Sequence, residues 1–169
     1  MKTAFVSLAT ALLFIAGPAL AQESFSATFA DTAWNGETVP AGQHCPLQGG
    51  TGATPALEVT GLPEGTSQIN LSFNDETYEP MNNGGHGIIG FAVEEGATTA
   101  SLPAVPGATE EMPEGVTLVA ANKSSGDFLT PGYMPPCSGG NGNTYSMDVI
   151  AVDASGAELA TTRVALGTY

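Results

Sequence analysis

Ala56-Leu57-Glu58-Val59-Thr60-Gly61-Leu62-Pro63-Glu64-Gly65-Thr66-Ser67-Gln68-Ile69-Asn70-Leu71-Ser72-Phe73 is the stretch on which the fold class turns. Residues 56–60 read as a short strand, and Gly61-Leu62-Pro63-Glu64-Gly65 as a tight turn built from the two residue types that punctuate backbone most strongly. Ile69, Leu71 and Phe73 then recur at every second position, the spacing that puts apolar side chains on one face of the next strand. Strand, turn and strand in succession predict a hairpin.

The same pattern extends in both directions. Phe25, Ala27 and Phe29 alternate with Ser24, Ser26 and Thr28, and Asn35-Gly36 follows as a turn signal. Further runs at residues 88–93, 116–121, 145–152 and 159–166 are each bounded by Gly, Pro, Asn or Ser. In the third of these, Tyr145, Met147 and Val149 share a face. About seven short strands separated by turns predict an all-β, antiparallel sandwich. Nowhere do apolar residues keep a 3.6 period over three capped turns; residues 157–165 come closest and read equally well as a strand. Three long Gly- and Pro-rich segments interrupt the strands. Residues 42–55 carry His44 and Cys45. Residues 94–115, with Glu94, Glu95, Glu110, Glu111 and Glu114, read as a solvated surface connection. Residues 122–143 are dominated by Gly, Pro, Ser and Asn, and long ordered loops of this kind are often functional.

Of the 169 residues, 17 are acidic and 3 basic, for a formal net charge of −14. Nucleic acid and anionic bilayers would be repelled over most of such a surface. At the N-terminus Lys2 precedes an apolar run over residues 4–16, Gly17-Pro18 breaks it, and Ala19-Leu20-Ala21 offers small residues for cleavage. This is the layout of a secretory signal peptide, and the run is shorter than the roughly 20 apolar residues a membrane span needs. The expected organisation is therefore a signal peptide at residues 1–21 and one domain at 22–169, periplasmic or secreted, with no transmembrane anchor after cleavage. Removing Lys2 leaves Lys123 and Arg163 as the only cations. In an oxidising compartment the two cysteines, Cys45 and Cys137, are expected to form a disulfide.

The residues that would mark an enzyme are missing. There is no Gly-x-Ser-x-Gly elbow, no phosphate-binding loop ending in Lys-Ser/Thr, no His-Glu-x-x-His and no Cys-x-x-Cys, so neither catalysis nor a cofactor is expected. A metal set drawn from His44, Cys45, His86 and carboxylates loses its soft ligand if the cysteines are bridged. His86 stands in Gly84-Gly85-His86-Gly87 at the entrance to a strand. Glycines there serve either the close approach of a ligand or a plain turn.

The segment Pro131-Gly132-Tyr133-Met134-Pro135-Pro136-Cys137-Ser138-Gly139-Gly140-Asn141-Gly142-Asn143-Thr144-Tyr145 resembles the Gly-Tyr-x-Gly-Pro-Cys-Pro-Pro-x-Gly-x-His-Arg-Tyr signature of bacterial phosphatidylethanolamine-binding proteins, also called Raf-kinase-inhibitor-like. Thr54-Pro55-Ala56-Leu57, Gly61-Leu62-Pro63-Glu64-Gly65-Thr66, Asn74-Asp75-Glu76-Thr77, His86, and Met112-Pro113-Glu114-Gly115 followed by Asn122 agree with that family in order and spacing. The resemblance runs from about Phe25 to Asp153. It implies a β-sandwich with a small surface pocket for an anion such as phosphate or a phospholipid headgroup. Carried over, the pocket would draw on Asp75, His86, Pro135, Pro136 and Tyr145, with the Cys137 loop at its rim. In such a site a carboxylate orients the imidazole, and imidazole and phenol donate to the anion.

The departures are chemical. Asn143-Thr144-Tyr145 stands where the family has His-Arg-Tyr, of the family's two aspartates only Asp75 is clearly present, and the tryptophans flanking the histidine are replaced by Gly and Ile. The C-terminal helix region is shortened to residues 156–169. Asn143 joins the expected ligand set as a neutral hydrogen-bonding residue. The resulting expectation is an exported, non-enzymatic binding protein for a small anionic ligand or phospholipid headgroup. The alternative is a protein-interaction or inhibitor module that keeps the scaffold while the pocket has lapsed.

Overall fold

A computed structural model of the chain describes residues 23–169; the signal peptide assigned to residues 1–21 lies outside the described residues. Among the described residues, eight strands form two sheets. β1 (Ser26–Phe29), β2 (Leu57–Thr60) and β5 (Thr99–Leu102) make a small sheet in the order β1-β2-β5. β3 (Gln68–Asp75), β4 (Ile88–Ala92), β6 (Val116–Ala120), β7 (Thr144–Val152) and β8 (Glu158–Thr168) make a larger one in the order β6-β4-β3-β7-β8. Every strand pair is antiparallel. The only helical pieces among the described residues are three 3-10 turns of three residues each.

The alternation seen in the sequence becomes the core. Ile69, Leu71 and Phe73 on β3, Ile89 and Phe91 on β4, and Met147, Val149 and Ala151 on β7 are all buried, and they meet Leu57, Val59 and Leu102 of the small sheet. The intervening residues, such as Glu58, Asn70 and Asp148, point the other way. Each fully buried Leu, Ile, Val or Phe contributes about 1.5–3 kcal/mol by leaving water, so the period-2 pattern decides which face of each sheet turns inward.

Two expectations are corrected here. Residues 56–73 are not a hairpin: β2 pairs with β1 and β5, while β3 lies in the other sheet between β4 and β7. The turn at residues 61–67 is an arch that carries the chain across the sandwich. Both strands have an apolar face, and an arch lets those faces oppose each other instead of lying side by side. Gly61 makes the crossing possible, with a φ of 67° and the backbone of Glu23 and Ser24 so close that a Cβ would meet it at 2.6 Å. The acidic segment 94–115 is also more than a surface connection. It contains β5, which completes the small sheet, and it buries Leu102 and Val105. Thr, Ala and Ser carry little strand signal by themselves, and pairing with β2 is what makes that stretch a strand.

Cys45 and Cys137 form a disulfide with Cα atoms 5.2 Å apart and 92 positions apart in sequence. With Met81 and Met134 they make a second, smaller apolar cluster outside the main core. In the chain-entropy model a loop of this length is worth on the order of 4 kcal/mol. Unreduced protein should therefore show no free thiol on denaturing titration. The Cys45→Ser/Cys137→Ser double variant should lose up to about that much stability in urea unfolding, and an unchanged midpoint would show that the bridge contributes nothing.

Candidate functional site

The site is assembled where β3 ends and β7 begins. Their register pairs Asp75 directly with Tyr145, so two residues 70 positions apart become cross-strand neighbours at the sheet end. Asp75 is nearly fully buried. Its Oδ1 accepts the backbone N–H groups of Thr77 and Tyr78, each at 2.9 Å, which turns the chain out of β3. Its Oδ2 accepts the side-chain amide of Asn143 at 2.7 Å. Asn143 is thereby fixed just before β7, its backbone carbonyl accepts the Tyr169 N–H at 3.1 Å, and its side-chain Oδ1 has no protein partner among the described residues.

His86 enters from the loop before β4. Its backbone N–H donates to Phe73 O at 3.1 Å, its carbonyl accepts from Met134 N at 2.8 Å, and its Nδ1 lies 2.7 Å from Met134 O. A carbonyl only accepts, so Nδ1 carries the hydrogen, and in the neutral ring Nε2 is left with a lone pair. The imidazole is thus oriented by the Met134 carbonyl, not by Asp75 as the resemblance implied. Burial pulls its pKa below the ordinary value, against the opposing effects of the Met134 bond and the Asp75 charge. Tyr145 meets the ring edge-on, with centroids 5.4 Å apart. Its hydroxyl accepts the Cys137 N–H at 3.2 Å, and burial pushes the phenol up to about 12, so it stays protonated.

The glycines around His86 answer the choice the sequence left open. Gly84 and Gly87 have φ values of 74° and 111°, and at Gly85 a Cβ would stand 2.3 Å from the Met81 backbone. They are required by the turn and by close backbone packing. The ring they hold is what faces the cleft.

The cleft has a volume of about 430 Å³. Asp75, His86, Asn143 and Tyr145 all line it, with Cys137 and Ser138 beside them. Pro135 and Pro136 do not. Pro135 packs into contact with Gly52 and Gly107, where a Cβ on either glycine would meet its ring, and Pro136 gives its carbonyl to Cys45 N–H at 3.0 Å. The prolines brace the loop that the sequence placed in the pocket. His44, read as a loop residue, stacks on Tyr169 with centroids 4.8 Å apart, away from the cleft lining. Among the described residues no three His, Cys, Asp or Glu side chains are grouped to hold a metal ion.

The cleft is also lined by Lys123, Ser124, Ser125 and Phe128 and by Tyr78, Pro80 and Met81, none of which a sequence motif pointed to. Tyr78 and Phe128 are more than half exposed. Lys123 stands out chemically. Arg163, the other cation of the described chain, is held by Asp148 through Nε and Nη2 at 2.7 and 3.0 Å and reaches Glu76 at 3.4 Å. Lys123 makes no salt bridge among the described residues, and its backbone N–H ties it to Gly85 O at 2.8 Å, next to His86. The scarcity of cations was visible in the composition, and it is the signal that would have singled out this residue.

Two solved structures share this architecture. One is CT736 from Chlamydia trachomatis, described as a phosphatidylethanolamine-binding protein homologue: it is 19% identical, with a TM-score of 0.52, over 86% of this chain and 97% of that one. The other is YbcL from Escherichia coli, described as a new member of the mammalian PEBP family, with a TM-score of 0.55 at 19% identity and the same coverage. No family model and no curated protein sequence matches the chain. The chain therefore has the fold of the phosphatidylethanolamine-binding proteins, as its motifs suggested.

Two outcomes test this description. Gly85→Ala should destabilise by about 3 kcal/mol or more, because the new methyl meets backbone and not a movable side chain; a change within 0.5 kcal/mol would mean that the Met81 contact is not rigid. The second concerns His86. Unfolded, it titrates near 6.5; folded, lower. Below about pH 6.5 the unfolded chain holds the extra proton, so this contribution is complete above that pH and is lost as pH falls through the folded value. Denaturation midpoints should fall more steeply between pH 7.5 and 5.5 in the parent protein than in His86→Gln.

Proposed function

We propose that this chain is an exported, non-enzymatic binding protein whose cleft takes a small ligand bearing an anionic group, such as phosphate or a phospholipid headgroup. The observation that carries the reading is Lys123. In a chain with 17 acidic side chains, the one described cation without a carboxylate partner lies on the same cleft as the buried Asp75, His86, Asn143 and Tyr145. An unpaired ammonium at a cleft rim attracts an anion that the rest of the surface repels.

The His86 ring is oriented by a backbone carbonyl and Tyr145 keeps its proton, which suits both to hold a ligand by hydrogen bonds. The disulfide is compatible with export, and no helix among the described residues is long and apolar enough to cross a membrane. The alternative of a protein-interaction module is favoured by one observation: Phe128, on the cleft lining, and the adjacent Leu129 are 54% and 72% exposed.

Phosphate and phosphoethanolamine should raise the melting temperature of the oxidised protein, and a ligand at a hundred times its Kd stabilises by about 2.7 kcal/mol. Lys123→Met should weaken phosphoethanolamine binding by roughly tenfold or more, the scale of one charge-assisted hydrogen bond, with the unliganded melting temperature unchanged. No shift with any anion, together with specific capture of a protein partner that Phe128→Ser abolishes, would replace this reading with the alternative.

A further inference from the structure

Three Asn-Gly pairs lie outside the strands, at Asn35-Gly36, Asn83-Gly84 and Asn141-Gly142, and in each the asparagine is exposed to water. In such a pair the glycine backbone nitrogen can attack the asparagine side-chain carbon, because no Cβ on the following residue blocks the approach. A bond forms from Gly N to Asn Cγ, the side-chain nitrogen leaves as ammonia, and a succinimide ring results. Water then opens the ring at either carbonyl to give aspartate or isoaspartate. Only water is consumed, and nothing is oxidised or reduced.

The sequence presents the three pairs alike, and the fold separates them. The Gly84 N–H donates to Asn74 Oδ1 at 2.7 Å, in a turn so close that a Cβ on Gly84 would stand 3.0 Å from Ser72 Oγ. The Gly142 N–H donates to Tyr169 O at 2.9 Å, and the Asn141 side-chain amide donates to Ser138 O. Both nitrogens must give up a hydrogen bond before they can attack. The Gly36 N–H donates to no protein group among the described residues. Asn35 Oδ1 accepts the N–H groups of Glu37 at 2.9 Å and Thr38 at 3.2 Å. Negative charge gathers on that oxygen as a nitrogen adds to Cγ, so the two donors act as an oxyanion hole. Trp34 and Val39, each 5% exposed, anchor the segment on either side and hold this arrangement in the folded protein.

We propose that Asn35 is a self-modification site, converted through a succinimide to aspartate and isoaspartate with the Glu37 and Thr38 N–H groups stabilising the charge on Oδ1, while the fold protects Asn83 and Asn141. The inference does not depend on what the cleft binds. Residues 35–39 form a strap against the end of β8: Thr168 N–H donates to Glu37 O and Val39 N–H to Thr168 O, each at 3.0 Å. Gly36 packs on Ala165 O, with room for a Cβ only 3.3 Å away. Isoaspartate carries the main chain through the side-chain carbon and lengthens this strap, which displaces it from β8. Trp34, the one tryptophan of the chain, stacks on Phe29 with ring centroids 6.0 Å apart and reports the displacement.

The test is peptide mass spectrometry of oxidised protein aged in mildly alkaline buffer, folded and in urea. In urea the three pairs should convert at similar rates. In the folded protein Asn35 should convert at least tenfold faster than Asn83 or Asn141, and no slower than it does in urea. The isoaspartate fraction should show red-shifted Trp34 emission and a lower melting temperature. Asn35→Asp, which adds the charge without lengthening the strap, should match the parent in both. Asn35 converting no faster than the other two in the folded state, or more slowly than in urea, overturns the inference. Emission of the isoaspartate fraction identical to that of Asn35→Asp refutes the displacement of the strap.

Discussion

The antiparallel pairing of β3 with β7 is the constraint on which the rest depends. It runs from Gln68 opposite Val152 to Asp75 opposite Tyr145, and it forms the middle of the larger sheet. Because side chains alternate, one register places Ile69, Leu71 and Phe73 beside Ala151, Val149 and Met147 in the core and brings a carboxylate and a phenol together at the sheet end. A slip by one residue would reverse every one of these side chains. Core and site are therefore two consequences of the same pairing.

What surrounds that sheet end is loop, and the loops are held by specific bonds. Asp75 turns the chain after β3 through two backbone N–H groups. Asn122 uses its amide on the carbonyls of Thr130 and Gly132, closing the segment that carries Lys123 and Phe128. The disulfide joins the loop of residues 42–55 to the cleft wall at Cys137. Side chains in such a frame lose little further freedom when a ligand arrives, which lowers the cost of binding. The orientation of His86 by a backbone carbonyl belongs to the same scheme, since it sets which ring nitrogen faces the cleft.

The sandwich was legible because burial imposes a period of two on any half-buried strand, and Ile69, Leu71, Phe73, Tyr145, Met147 and Val149 keep that period without interruption. The arch at residues 61–67 was not, since a Gly- and Pro-rich turn between two strands looks the same whether the chain returns within a sheet or crosses to another. β5 was hidden for a related reason: Thr99, Ala100 and Ser101 become a strand only when β2 offers its edge.

The candidate site divides along the same line. Asp75, His86, Asn143 and Tyr145 were reached through the resemblance of their motifs to a known family, and the pairing of Cys45 with Cys137 through compartment chemistry; both rest on local sequence. The sequence alone thus determined an acidic all-β chain with one bridge and one polar cluster. Which groups face the cleft was decided only by tertiary structure. Pro135 and Pro136 turned out to brace the loop, and Lys123, Tyr78 and Phe128 entered the lining, because a cavity wall is defined by which backbones pack together across the chain. The hydrogen on His86 Nδ1 was settled in the same way, by a carbonyl 48 residues distant in sequence. The character of the site, buried polar groups beside an unpaired lysine, follows from contacts that no local pattern of residues encodes.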